Sequence, residues 1–95
     1  MSQSQIDITP RQFGPNLSVT LTVTPATGMD FSGVQSNGVA IIPSDNIGQL
    51  QAIPQSNGDL RVDFTTPGAQ FSIRTLVIVG PDHLVMASGV IRVAP

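Results

Sequence analysis

His83 is the only histidine in the sequence, and histidine is the commonest general base in enzymes. A catalytic histidine needs a nucleophile and an orienting partner within hydrogen-bond reach. The chain has no cysteine and no recognisable nucleophile motif, and His83 follows Gly80, Pro81 and Asp82 in a segment typical of a turn. We interpret His83 as a solvated turn residue. The sequence therefore predicts no catalytic residue and no enzyme.

Metal binding is the second chemistry to consider. Zinc needs three or four converging ligands, which one histidine without cysteine does not supply in an ordinary site. Calcium is bound by carboxylates and backbone carbonyls in loops, and no segment has the D-x-D-x-D-G spacing of a calcium loop. Four aspartates fall in or beside predicted loops: Asp30, Asp45, Asp59 and Asp82. We interpret them as isolated, solvated turn residues and expect neither metal nor cofactor.

Carbohydrate binding is an alternative function that the composition leaves open. Sandwich proteins that bind sugars usually stack exposed Trp or Tyr against the sugar ring, and this chain contains neither. The large apolar side chains available to fill a core are four phenylalanines, Phe13, Phe31, Phe64 and Phe71. We expect all four in the core or at its rim. A carbohydrate-binding module is therefore retained as the alternative.

The charge pattern argues against nucleic acid as a partner, and the short apolar runs argue against a membrane-spanning helix. Only 11% of the residues are charged, Lys and Glu are absent, and the net charge is −2. The arginines are Arg11, Arg61, Arg74 and Arg92, which are too far apart in sequence to form a basic stripe. The longest apolar runs, of which residues 76–79 are one, are far shorter than the roughly 20 residues of a membrane-spanning helix.

A surface rich in Ser, Thr, Asn and Gln is typical of secreted, cell-surface and virion-exterior β-proteins, and it favours strands over helices. The polar start, Met1-Ser-Gln-Ser-Gln, has no signal-peptide pattern. We therefore expect either an excised domain of a surface protein or a small protein that leaves the cell by another route, such as assembly into a virion.

Alternation of apolar and polar side chains predicts an all-β chain that forms one domain over residues 1–95. It is clearest where Leu21 and Val23 alternate with Thr20, Thr22 and Thr24. Predicted strands cover residues 6–9, 17–24, 31–35, 39–42, 49–53, 60–64, 71–79 and 84–93, and residues 11–16 form a connection. Seven or eight short strands separated by turns predict an antiparallel β-sandwich.

Two turns share the tetrapeptide Gln-Ser-Asn-Gly, at residues 35–38 and 55–58. Asn-Gly is the preferred pair of a type I′ hairpin, in which both central residues have positive φ. We therefore predict type I′ turns led by Asn37 and Asn57.

The beginning and the end of the chain resemble the immunoglobulin-like IPT/TIG domains. The resemblance lies in Ile6-x-Ile8-x-Pro10, Gly14, residues 19–23 and Phe31, and later in Ala69, residues 74–79 and residues 89–93. It implies an immunoglobulin-like sandwich that serves as a structural or binding module of a larger surface protein. It carries over no catalytic residue.

The hairpin over residues 70–93 is apolar on both faces, whereas a half-buried strand should alternate. One face should cover the core and the other should meet a neighbouring subunit or domain, unless loops or the amino-terminal strand cover it. The candidate interface residues are Val77, Val79, Leu84, Met86 and Val90. Which of them face outward depends on the register, and a bulge at Gly89 would reverse it. The predicted function is a non-catalytic structural or adhesive module that acts through protein–protein contacts.

Overall fold

Two four-stranded sheets form this fold in a computed structural model that describes residues 6–68 and 71–94. Ala69, used in the family resemblance, and Gln70, the start of the predicted hairpin stretch, lie outside the described residues. The described residues form the strands β1 (Asp7–Thr9), β2 (Gln12–Phe13), β3 (Ser18–Thr24), β4 (Val39–Ile42), β5 (Gly48–Pro54), β6 (Leu60–Thr65), β7 (Ser72–Val79) and β8 (Val85–Val93). Within these ranges no helix is long and apolar enough to cross a membrane.

The two sheets have the strand orders β1-β3-β6-β5 and β2-β8-β7-β4. The short strand β2 pairs with β8 in parallel, and the other strand pairs of the described chain are antiparallel. The first part of the chain is thus divided between the sheets, with β1 on one and β2 on the other. This order is that of an immunoglobulin-like sandwich, which confirms the predicted fold class.

The core lies between the sheets and is built from the inward side chains of both. Its fully buried members include Leu21, Val62, Leu76 and Ile78. Three of the four phenylalanines are buried as predicted: Phe13, Phe31 and Phe64. The rings of Phe13 and Phe64 meet edge to face with centroids 5.4 Å apart. Phe71 is 58% exposed, so its predicted place in the core was wrong.

Residues 31–35 form turns rather than the predicted strand. The carboxylate of Asp30 accepts hydrogen bonds from the backbone N–H and the hydroxyl of Ser32, and the N–H of Val34 donates to the carbonyl of Phe31. This turn places both Phe31 and Val34 in the core. Local side-chain hydrogen bonding, which Asp favours in turns, therefore replaced the strand.

The predicted connection over residues 11–16 contains the short strand β2. Gln12 pairs with Arg92 and Phe13 with Val93, which lie near the other end of the chain. A two-residue strand has too little alternation to be detected from local pattern.

The prediction of type I′ turns was wrong at both Gln-Ser-Asn-Gly sites. At residues 55–58 only Gly58 has a positive φ, of 97°, and its N–H donates to the carbonyl of Gln55. This is the longer hairpin loop that ends on a left-handed residue. Gly38 lies outside the left-handed region. A Cβ there would be 3.1 Å from the carbonyl oxygen of Val79, so close packing favours glycine at this position.

The predicted hairpin of residues 71–79 and 84–93 is present as β7 and β8. In its turn the N–H of His83 donates to the carbonyl of Gly80, and His83 has a φ of 65°. The left-handed position that Gly58 fills in the β5–β6 turn is therefore filled here by a histidine.

Candidate functional site: the two outer sheet faces

The outer faces of the two sheets differ in chemistry. The outer side of β3, β6 and β5 carries polar side chains such as Thr20, Arg61 and Asp63. The outer side of β8, β7 and β4 carries mainly aliphatic ones. We call the second surface the apolar face and define it by its aliphatic members: Ala40, Ile42, Ile73, Val77, Val79, Val85 and Val90.

The strand register brings the members of the apolar face into adjacent rows. Thr75 on the central strand β7 lies between Ile42 on β4 and Val90 on β8. In the next row Val77 lies between Ala40 and Ser88. Neighbouring strands are about 4.8 Å apart, so these side chains touch across the rows and form one continuous surface.

The rim of the apolar face is widely exposed. Ile42, Ile73 and Val90 expose 57%, 52% and 48% of their surface, whereas Val77 and Val79 on the central strand are half-buried by their neighbours. Cover by the amino-terminal strand, the alternative to an interface, does not occur over the described residues, because β1 pairs with β3 in the other sheet. A contiguous aliphatic surface of this kind is typical of an interaction site.

Three of the five predicted interface residues, Val77, Val79 and Val90, lie on the apolar face. Leu84 is 66% exposed but lies at the turn that precedes β8. Met86 does not belong to the outer surface, because it packs against the hydrophobic core.

The displacement of Met86 comes from a bulge. Ile78 pairs with Ala87 and Val79 with Val85, so Met86 is the extra residue between two pairs. The bulge was expected at Gly89, yet Gly89 pairs regularly with Leu76. Residues beyond the bulge keep one register, which fixes Val90 on the outside.

Sequence reasoning missed Ile42, Ile73 and Val85, the three most exposed members of the face. Alternation along β7 relates Ile73 to Val77, so that signal was available in the sequence. Assigning Ile42 to the face required knowledge that β4 pairs with β7, a pairing that joins residues more than thirty positions apart.

A pair of arginines borders the apolar face beside Val90. Arg11, Gln12, Val90 and Arg92 line a shallow concavity of about 380 Å³, and Nη1 of Arg11 lies 3.4 Å from the carbonyl oxygen of Val90 as a hydrogen-bond donor. Among the described residues the one ion pair is Arg61–Asp63, so neither Arg11 nor Arg92 is paired with a carboxylate there. This edge of the face is therefore basic.

We call the outer side of β3, β6 and β5 the polar face. It contains a second concavity, of about 580 Å³. Asp63 is one of the residues that line it, and its carboxylate accepts hydrogen bonds from the Thr20 hydroxyl at 2.6 Å, Arg61 Nε at 3.0 Å and Gln51 Nε2 at 3.5 Å. The Arg61 hydrogen bond, more than any other contact, lowers the pKa of Asp63, while partial burial acts in the opposite direction. The network occupies the carboxylate with neighbours in the protein.

The residues first considered for chemistry are dispersed. His83 is exposed in the β7–β8 turn, and Asp82 there accepts a hydrogen bond from the N–H of Leu84. Two hydrogen bonds from Ser32 lower the pKa of Asp30, and the one from its backbone N–H contributes more than the one from its hydroxyl. Over the ranges that the structure describes, no three His, Cys, Asp or Glu side chains are grouped as a metal site would require.

Comparison with known proteins adds no relative to these observations. No protein-family model, curated protein or solved structure matches the chain. Function is therefore inferred from the chemistry of the two outer faces.

Proposed function

We propose that this chain is a non-catalytic structural or adhesive immunoglobulin-like module that acts through protein–protein contacts on an exterior surface. The module belongs either to a cell-surface protein or to a virion, as a decoration or tail component. The observation that carries the proposal is the contrast between the apolar face and the polar outer face of the other sheet.

The contrast matters because an antiparallel sandwich normally directs polar side chains outward from both sheets. The sheet of β3, β6 and β5 follows that rule with Thr20, Thr22, Arg61 and Asp63. The apolar face departs from it on three adjacent strands, where Thr75 and Ser88 are the one polar member of each of two neighbouring rows. Burial of apolar surface stabilises association by about 25 cal/mol per Å² before the cost of docking.

The surroundings of the apolar face also fit a protein interface. Such interfaces have few charges at the centre and are enriched in Arg. Here the two central rows carry no charged side chain, and Arg11 and Arg92 lie at one edge beside Val90. IPT/TIG domains are mostly structural or binding modules of larger surface proteins, so the resemblance to them supports the same proposal.

Site-specific photo-crosslinking tests this function. A photoreactive amino acid is placed at Ile42 or Ile73 on the apolar face, with Thr22 on the polar face as the matched control, in the cells that produce the protein. We expect a protein adduct of defined mass from the first two positions and none from Thr22. Excess purified wild-type protein should compete the adduct away, whereas an Ile73→Asp variant should not. Equal labelling from both faces, or none from Ile42 and Ile73, contradicts the proposal.

A carbohydrate-binding module is the second candidate, and the polar concavity is the observation that favours it. Its amide, hydroxyl, guanidinium and carboxylate groups are those that hydrogen-bond sugar hydroxyls. A glycan array tests this function, with Gln51→Ala as the variant and Gln12→Ala on the other sheet as the control. Binding that is lost only in Gln51→Ala supports it, and an array without binding contradicts it.

A further inference from the structure

The charges at the two ends of the apolar face are opposite in sign. Arg11 and Arg92 lie at the end where β8 finishes, and Arg92 pairs across the strands with Ile73 and Gln12. Asp82 lies in the exposed turn at the other end, where β8 begins. Residues 85 and 92 are seven positions apart along a strand, or roughly 23 Å. One face thus presents a positive end, an aliphatic centre and a negative end.

A surface with this order is complementary to itself when reversed. A twofold axis that lies in the plane of the face and runs across the strands places each strand antiparallel to its own copy. The positive end of one copy then meets the negative end of the other, and the aliphatic rows around Thr75 and Val77 meet at the centre. A closed twofold arrangement of this kind is the commonest form of homo-oligomer.

We propose that the partner of the apolar face is a second copy of this chain, docked face to face with antiparallel strands and with Arg92 opposite Asp82 of the other copy. This inference rests on the proposed function and names its partner. The polar face remains open to solvent in the dimer, and the aliphatic rims formed by Ile42, Ile73 and Val90 are covered.

The size of the face sets the expected strength. The strands β2, β4, β7 and β8 hold two, four, eight and nine residues. About 3.3 Å per residue and about 4.8 Å between strands give roughly 360 Å² per copy, or about 700 Å² in total. That area is below the range of stable specific interfaces, so the dimer should be weak and transient and should form only at concentrations approaching about 1 mM. Charge pairing at the rim should make it weaker at high salt.

Sedimentation equilibrium between 10 µM and 1 mM protein, at roughly 50 mM and 500 mM salt, tests the inference. Surface charges are screened less at the lower salt concentration than under physiological conditions, and more at the higher one. The variants are Arg92→Asp, Asp82→Arg and the double exchange, with Asp59→Arg in the β5–β6 turn as the control for net charge. We expect the wild type and Asp59→Arg to dimerise, each single exchange on the apolar face to weaken the dimer at least tenfold, and the double exchange to restore it. Thermal melts verify that every variant is folded.

A wild type that stays monomeric at 1 mM and low salt overturns self-pairing, as do single exchanges that leave the dimer unchanged. Failure of the double exchange to restore a dimer overturns the antiparallel arrangement. These outcomes are distinct from failure of the proposed function. A monomeric protein whose Ile42 and Ile73 positions still crosslink to a different protein keeps the interaction face but has another partner.

Discussion

Gly89 lies directly against Ile8, which comes from the opposite sheet. A Cβ at Gly89 would overlap Cδ1 of Ile8 and lie 3.7 Å from Cδ1 of Ile6. The absence of a side chain on β8 is therefore what allows the amino-terminal residues to pack into the core. Ile8 is 2% exposed in consequence.

Gly89→Ala should destabilise the protein by about 1–3 kcal/mol, because added volume in a packed core displaces its neighbours. For a domain of this size that corresponds to a fall in Tm of at least about 4 °C. The matched control is Gly68→Ala, since a Cβ there has no atom of the described structure within 4 Å. Equal melting temperatures for the two variants would show that β1 does not pack as described.

Arg74→Met should lower the free energy of unfolding by about 2–4 kcal/mol. Arg74 is 7% exposed, and its Nη1 donates to the backbone carbonyls of Pro43 and Asp45 in the β4–β5 connection. Methionine fills much of the same volume but leaves these acceptors without their charged donor. Chemical denaturation measures the loss, with the exposed Arg11→Gln as the control. A loss no larger than that of Arg11→Gln contradicts a supporting role for Arg74.

The two turns with left-handed residues should respond in opposite directions to substitution. Gly58→Val should destabilise by about 1–2 kcal/mol, because a Cβ is strained at a φ of 97°. His83→Gly should raise the free energy of unfolding by up to about 1 kcal/mol, because it removes that strain at a φ of 65°. Urea denaturation of both variants tests the assignment. A destabilised His83→Gly would mean that the imidazole makes a stabilising contact.

Asp63 should make stability depend on acid pH. Its pKa is lowered from 3.8 in the folded protein, chiefly by the Arg61 hydrogen bond, so its contribution is present above the ordinary value and is lost as pH falls through the folded value. Asp63→Asn should therefore flatten the decline of stability below about pH 4. The control Asp45→Asn makes the same charge change at an exposed loop position and should leave the decline intact. Parallel curves for the wild type and Asp63→Asn would contradict this.

The fold was predictable wherever alternation ran for several residues, as in β3, where Leu21 and Val23 point inward. It was not predictable where a long-range contact decided the structure. Gln12 became a strand residue only through its pairing with Arg92, and Asp30 turned the chain at Phe31.

The apolar face was predictable in part for the same reason. Alternation placed Val77 and Val79 on one side of β7. The position of Met86 depended on a bulge that the residue types around it do not predict. Ile42 joined the surface through sheet pairing, which local sequence does not encode.

Hydroxyl-radical footprinting of the protein in the intact cells or particles that carry it, compared with the purified protein at low micromolar concentration, tests the interaction face most directly. Oxidation of Ile42, Ile73 and Val90 should fall several-fold in the native setting. Leu17, which is 51% exposed and lies off the apolar face, provides the internal control and should be oxidised equally in both. Unchanged oxidation of all four residues would contradict the central claim that the apolar face is covered by a protein partner.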